Sequence, residues 1–145
     1  PVEVTKKMLE SYRSNRQEIL ELEFMLRNRW KSESMISIDT ILNYRKGYPV
    51  PEGVAGFDQE RYERLQNRDM RRKERLEQEC KAVEDFVGNI QNSVTRRIFQ
   101  LYYTEGEKKP TQAKIAKKIH LDRSRISRKI DDYLKDAHKA QNAHV

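Results

Sequence analysis

Residues 111–134 read T-Q-A-K-I-A-K-K-I-H-L-D-R-S-R-I-S-R-K-I-D-D-Y-L, and this stretch decides how the C-terminal part of the chain folds. It predicts two helices joined by a tight turn. Thr111 can cap the first helix, and Asp122 can cap the second by accepting hydrogen bonds from free N–H groups. Leu121 is the apolar plug of the turn. The other inward-facing residues are predicted from helical spacing to be Ile115, Ala116, Ile119, Ile126, Ile130, Tyr133 and Leu134.

His120 occupies the position at which the turn between two such helices usually has glycine, because the backbone there often needs a positive φ. Histidine tolerates that conformation better than most residues, although at some cost. A metal-binding or catalytic role is the other interpretation of His120. No cysteine or second histidine lies at ligand spacing from it, so we expect no metal site and no cofactor.

Helical geometry turns a second set of side chains outward once the apolar residues point inward. Four residues of the second helix are predicted to read base edges of duplex DNA: Ser124, Arg125, Ser127 and Arg128. A guanidinium can bond both acceptors of a guanine edge, and short serines let the helix lie deep in the groove. Seven further residues are predicted to contact the flanking phosphates: Thr111, Gln112, Lys114, Lys117, Lys118, Arg123 and Lys129.

Three stretches carry a resemblance to a known family: R-R-I-F-Q-L-Y-Y at 96–103, I-A-K-K-I at 115–119 and S-R-I-S-R-K-I at 124–130. Residues 121–134 resemble the second helix of the helix-turn-helix in region four of sigma factors. The wider layout resembles phage late-operon transcriptional regulators of the ArpU and RinA type. The resemblance covers about the last third of the chain. It implies an activator at promoters of a phage or mobile genetic element, with RNA polymerase as a possible partner.

The composition favours a helical protein with a basic surface. Charged residues make up 37% of the 145-residue chain and hydrophobic residues 36%, which is too polar for a large spherical core. Helices that each bury one narrow apolar stripe would fit this composition. The chain has only five glycines and four prolines, which also favours helices over sheets and tight turns. Thirty Lys and Arg against 23 Asp and Glu give a net charge of +7. That balance suits a nucleic acid or an anionic membrane surface.

Two long helices are predicted before the C-terminal part, over 5–30 and from 58 to about 90 or 92. Their predicted N-caps are Thr5 and Asp58. Because helices of this length are not stable alone in water, we expect them to form an antiparallel, coiled-coil-like hairpin, with pairing to a second copy as the alternative. Between them we predict a short helix at 35–44 and a loop at 46–57, where glycine and proline cluster.

The sequence therefore predicts an all-α fold in which a long N-terminal helical hairpin precedes a small helix-turn-helix unit. We expect a helical, oligomerising region over 1–92, a DNA-binding domain over 93–138 that begins with a helix at 93–103, and a flexible tail over 139–145. One helix-turn-helix makes few base contacts, so we expect a homodimer on paired half-sites.

Cys80 is the only cysteine, so no intramolecular disulfide can form, and we expect it to be a small buried hydrophobe. Trp30 is expected to anchor a helix contact, and of Tyr102 and Tyr103 one is expected in the core and the other at the surface. The chain has no apolar run of the ~20 residues that span a bilayer and no signal-peptide core. We expect no membrane association and a place in the bacterial host cytoplasm, at the nucleoid.

Three classes of function remain open at this point. The first is a transcription regulator that binds specific duplex DNA. The second is a phage DNA-packaging subunit of the small terminase type, which also joins a DNA-binding unit to a helical oligomerisation part. The third is an adapter whose helix-turn-helix binds polymerase or a sigma factor instead of DNA. An enzyme is not expected, since the sequence has no glycine-rich phosphate loop and no acid cluster with metal spacing.

Overall fold

The structure is a computed structural model that describes residues 3–32 and 57–142. Throughout these residues the regular secondary structure is helical and no β-strand occurs, which confirms the all-α class. The α-helices are α1 (Lys6–Asn28), α2 (Gln59–Gly88), α3 (Ser93–Phe99), α4 (Gln112–Ile119) and α5 (Arg123–Asn142). A 3₁₀ turn at Arg29–Lys31 follows α1, and a π-helical turn at Gln100–Thr104 follows α3. Among these helices none is both long enough and apolar enough to cross a membrane.

The predicted helix starts are correct. The side chains of Thr5, Asp58 and Thr111 each accept a hydrogen bond from the N–H three residues later, at 3.2, 3.0 and 3.2 Å. Asn92 caps α3 in the same way at 3.0 Å, although the sequence interpretation did not name it. These four side-chain caps satisfy donors that have no partner within their own helix. The predicted side-chain cap by Asp122 does not form among the described residues; its backbone carbonyl accepts from the Arg125 and Ile126 N–H groups instead.

The predicted end of the last helix is wrong, and the helix predicted at 93–103 is α-helical over only part of its length. The helix predicted at 93–103 changes from α to π geometry at Gln100, and the segment ends at Thr104, shortly before Gly106 with its positive φ of 73°. At the C-terminus, α5 continues to Asn142, so the predicted tail begins too early. Lysine, alanine and glutamine follow His138, and these good helix formers extend α5 without a glycine or proline to stop it. The helix predicted at 35–44 and all but the last residue of the predicted loop lie outside the described residues.

Contacts group the chain into two compact units. The first unit consists of Pro1–Gln17 and Leu76–Val145, and the second consists of Glu18–Arg75. Each unit therefore contains a part of α1 and a part of α2, while α3, α4 and α5 belong to the first unit alone. The sequence predicts a boundary at residue 92 between a helical, oligomerising region and a DNA-binding domain, and that boundary stays a prediction.

An aromatic cluster lies at the centre of the first unit. The ring of Phe99, from α3, lies 5.6 Å from that of Tyr103 and 5.3 Å from that of Tyr133 on α5. Phe86 on α2 completes the cluster at 5.7 Å from Tyr133. Such edge-to-face and tilted pairs stabilise a core beyond the area they bury. Buried aliphatic side chains of the same unit include Leu9, Val83, Val87, Ile90, Ile98, Ile126 and Ile130.

Within the first unit, α1 runs antiparallel to α2. The hydroxyl of Tyr12 donates to Glu84 Oε2 at 2.6 Å, and Asn15 Nδ2 donates to Glu79 Oε2 at 3.4 Å. Burial, together with the hydrogen bond to Glu84, raises the pKa of Tyr12 well above its usual value. Tyr12 therefore remains a neutral hydrogen-bond donor throughout the physiological pH range.

Arg13 binds the backbone at the end of the π-helical turn. Its guanidinium donates to the carbonyls of Leu101 (3.1 Å), Tyr102 (2.8 Å), Glu105 (2.6 Å) and Gly106 (3.2 Å). The last carbonyls of a helix have no partner inside it and carry the negative end of its dipole, so a cation at this end is favourable. Arg13 thereby attaches α1 to the segment that precedes α4.

We expect Arg13→Met to lower the free energy of unfolding by about 1.5–3 kcal/mol, the usual contribution of hydrogen bonds to a charged group. Methionine retains much of the apolar stem but cannot donate to the carbonyls. Urea denaturation followed by circular dichroism measures the change. The control is Arg16→Met, since Arg16 is an exposed arginine of the same helix. Equal losses in the two variants would contradict the role given to Arg13.

Within the second unit, a buried ion pair connects the end of α1 to α2. Arg29 and Asp69 are each 4% exposed, and the Arg29 guanidinium donates to Asp69 Oδ2 and to Gln66 Oε1. Gln66 Nε2 in turn donates to the Leu26 carbonyl at 3.1 Å. Asp69 is thus a polar interruption within the apolar stripe of α2, and Arg29 neutralises its buried carboxylate there.

The prediction for Trp30 was also wrong. Its side chain is 58% exposed, with Lys31 Nζ 5.2 Å from its ring centroid. The 3₁₀ turn that begins at Arg29 explains the difference, because it changes the direction of the side chains that follow Asn28. It is Arg29, one residue earlier, that is buried.

Cys80 is buried as predicted, at 2% exposure, and burial raises the pKa of its thiol to about 11.

This pKa makes the Cys80 thiol slow to react. At about pH 8 roughly one such thiol in a thousand is ionised, against about one in four for an ordinary cysteine. Because the thiolate is the nucleophile, we expect Cys80 to react with a thiol reagent more than about 100-fold more slowly in the folded chain than in concentrated urea. Both rates are measured from the absorbance of the group that the thiol reagent releases when it reacts with Cys80. Similar rates would show that Cys80 is accessible.

Candidate nucleic-acid interface

The connection between α4 and α5 is a three-residue turn with a left-handed backbone. His120 has φ 59° and ψ 44°, which confirms the positive φ predicted at this position. The N–H groups of His120 and Leu121 both donate to the Ala116 carbonyl, the latter at 2.9 Å. This closes the C-terminus of α4 in the way that glycine usually allows, and it fixes where α5 begins.

The inward faces of α4 and α5 agree with the prediction. Ile115, Ala116, Ile126 and Ile130 are buried, with Ile126 fully inaccessible. Ile119, Leu121, Tyr133 and Leu134 are half-buried at the edges of the same faces. The two helices pack on each other, and α5 also packs on α3. One side of each helix is therefore held against the unit, and the opposite side is left for a partner.

Three of the four predicted base-reading residues lie on the exposed side of α5. Ser124, Arg125 and Arg128 are exposed, and Ser127 is half-buried beside the inward face. All four belong to the first two turns of the helix. In a helix-turn-helix, the second helix lies in the major groove and the side chains near its N-terminus contact the base edges.

Most of the predicted phosphate-binding residues are accessible. Five of them are exposed: Thr111, Lys114, Lys117, Lys118 and Arg123. Gln112 and Lys129 are half-buried. Thr111 uses its hydroxyl to cap α4, so that hydroxyl already accepts from the Lys114 N–H.

Positive charge is concentrated in this segment. Residues 111–130 contain seven Lys and Arg and one Asp, a net charge of +6, whereas the whole chain carries +7. Within the described part of the chain none of these seven cations forms an ion pair with a carboxylate. The N-terminus of α5 adds the positive end of a helix dipole to the same surface. The segment can thus attract several phosphates without first breaking internal bonds.

Acidic residues limit the basic surface along α5. Asp131, Asp132 and Asp136 follow Lys129, and residues 131–142 together carry a net charge of −1. Phosphates would be repelled from this second half of the helix and attracted to the first half. The charge pattern therefore selects the same two turns of α5 that carry the predicted base-reading residues.

Lys109 is a residue of this surface that the sequence interpretation did not single out. Its Nζ lies 4.0 Å from the ring centroid of Tyr102 and 5.2 Å from that of Tyr103. Tyr103 is buried, which confirms that one tyrosine of the pair belongs to the core, whereas Tyr102 is half-buried and not fully at the surface. Cation–π contacts of this kind hold Lys109, and with it the segment that leads into α4. The only sequence signal for this role of Lys109 is the adjacent basic pair at 108–109.

No group of three or more His, Cys, Asp or Glu side chains is arranged to hold a metal ion in residues 3–32 and 57–142. The surface formed by α4 and α5 consists of cations and hydroxyls, a chemistry suited to binding an anion. Comparison with known proteins gives no further guide: no family model, no curated protein and no solved structure matches this chain.

Proposed function

We propose that this chain is a sequence-specific, duplex DNA-binding transcriptional regulator, in which α4, the His120 turn and α5 form a helix-turn-helix. The observation that carries the proposal is the unpaired charge of +6 on residues 111–130, next to two buried apolar helix faces. In this assignment the first two turns of α5 enter the major groove. Arg125 and Arg128 bond guanine edges, Ser124 and Ser127 allow close approach, and the surrounding lysines bind phosphates.

The rest of the proposal follows from the resemblance to phage late-operon regulators and from the long helices. The regulator would act as an activator at promoters of a phage or mobile genetic element, together with RNA polymerase. The pairing of α1 with α2 within each unit is what a helical hairpin would require. One helix-turn-helix reads few bases, so the protein would bind as a homodimer to two half-sites.

The test is a selection of random duplex DNA by the purified chain at about physiological salt, in the presence of excess competitor DNA. We expect one enriched motif, and a two-fold repeat in it would demonstrate binding as a dimer. Absence of any enriched motif would overturn specific reading. Ring-shaped oligomers would then support the DNA-packaging alternative, and capture of polymerase without DNA would support the adapter alternative.

A further inference from the structure

A row of arginines lies on α2, in the second unit. Arg64, Arg68, Arg71 and Arg75 follow one another at steps of four, three and four residues, and Arg72 lies beside them. At about 100° per residue the first four fall within about 60° around the helix axis, over a length of about 16 Å. All five are exposed. We call these five residues the arginine face.

The partners available within the chain leave the arginine face largely free. Arg68 donates to Asp69 Oδ1 at 3.0 Å and is still 59% exposed. Arg64, Arg71, Arg72 and Arg75 form no ion pair or hydrogen bond with any residue that the structure describes. Residues 64–75 contain six Lys and Arg against two acidic residues, so the surface is strongly cationic.

This arrangement is unfavourable for the helix itself. Arg64 and Arg68, Arg68 and Arg72, and Arg71 and Arg75 are like-charged pairs at i, i+4 spacing, which destabilises a helix. Glutamates at alternate positions would have formed stabilising pairs instead. The presence of such a row of mutually repelling cations is explained if an external polyanion binds to it and neutralises its charge.

The chemistry of the row selects the kind of polyanion. All five members are arginine, whose planar guanidinium bonds phosphate oxygens in pairs, rather than the lysine that serves general solubility. Residues 63–77 contain no aromatic side chain, whereas proteins that bind single strands stack bases on aromatic rings between their cations. A 16 Å length of duplex carries about five phosphates on each strand, enough to supply a partner for each arginine.

We infer that the arginine face of α2 binds the phosphate backbone of duplex DNA, as a second contact surface in addition to α4 and α5. This contact does not read sequence. It does not rest on base reading by α5, because the backbone of any duplex presents the same charges.

The test compares two triple variants of the full chain. Arg64→Gln/Arg71→Gln/Arg75→Gln removes three charges of the arginine face. Lys7→Gln/Lys81→Gln/Lys139→Gln removes three exposed lysines elsewhere and is the control. Affinity for a duplex of random sequence is measured over a range of salt concentrations. Each lost phosphate contact is expected to reduce the slope of log K against log salt by about 0.9, hence by about 2.7 for the first variant.

For the control we expect almost no change in that slope, since it shares only the change in net charge. The inference is overturned if both variants change the slope equally or if neither does. It is also overturned if the arginine variant alters self-association in sedimentation while random-duplex binding is unchanged, because the partner would then be protein. Thermal unfolding checks that the variant folds, and relief of repulsion should leave its melting temperature equal or higher.

These measurements are independent of the DNA selection. Affinity for random duplex measures phosphate binding by the arginine face even when the selection enriches no motif. Conversely, a motif can be enriched although the arginine variant binds random duplex like the control. Failure of the proposed function and failure of this inference are therefore distinguishable.

Discussion

Replacement of both Arg125 and Arg128 by alanine is expected to lower the affinity for the selected DNA site by a factor that lies between about 30 and more than 1,000. A good bidentate contact between a guanidinium and guanine discriminates by about 1–3 kcal/mol, and the double variant removes two of them. Both residues are exposed in the first two turns of α5 and have no partner among the described residues, so the folded chain should tolerate their loss. Fluorescence anisotropy with the selected site and with random duplex measures the effect.

The matched control is Arg125→Lys/Arg128→Lys, which keeps both charges and removes only the planar fork. We expect it to bind random duplex like the native chain and yet to lose most of its preference for the selected site. If the lysine variant retains full specificity, the two residues contribute charge alone. Equal losses on specific and random DNA in the alanine variant would show that they contact phosphates.

Asp69→Asn is expected to lower the free energy of unfolding by about 3–5 kcal/mol, the usual effect of removing one partner of a buried ion pair. The amide has nearly the same shape but leaves the charge of Arg29, itself 4% exposed, without a counter-ion. Urea denaturation measures the loss. The control is Arg68→Ala, which removes the second arginine on the same carboxylate. Arg68 is 59% exposed, and such surface pairs contribute about 0–1 kcal/mol.

The Asp69 effect should depend on pH in a definite direction. Burial alone would raise the pKa of this carboxyl, but the hydrogen bonds from Arg68 and Arg29 outweigh it, and the folded-state pKa lies below its ordinary value. The contribution to stability is then fully present above the ordinary carboxyl pKa of about 3.9 and is lost as the pH falls through the folded-state pKa. The difference between native chain and Asp69→Asn should be constant near neutrality and shrink in acid. A difference that grows in acid would contradict this assignment.

Much of the C-terminal structure could be predicted from the sequence because short-range rules decide it. Thr111 caps α4 since a hydroxyl at that position meets a free N–H three residues later. Ile115 and Ile126 are buried because the helical period leaves them one apolar side to share. The positive φ of His120 follows from its place between two helices that must change direction. The candidate DNA surface is then the remaining side of the same helices.

Interactions between distant parts of the chain could not be predicted in this way. Arg13 binds carbonyls about 90 residues away, and a surface arginine on α1 has the same local pattern whether or not it does so. The buried ion pair of Asp69 could not be predicted either, because nothing near Asp69 in the sequence indicates that Arg29, 40 residues earlier, is its partner. The exposed position of Trp30 depends on a 3₁₀ turn that local propensity does not require. The π-helical turn after α3 likewise has no local sign in the sequence.

The left-handed backbone of His120 also bears on the rate at which a partner can bind. A glycine at this turn would have more backbone conformations open to it than histidine has. His120 adopts φ 59° with its own N–H and that of Leu121 both bound to the Ala116 carbonyl, and these bonds leave few alternatives open to the turn. Little conformational entropy then remains to be lost on association. If α5 binds DNA as proposed, we expect the association rate to be set by diffusion and by the long-range attraction of residues 111–130, without a slow rearrangement of the turn.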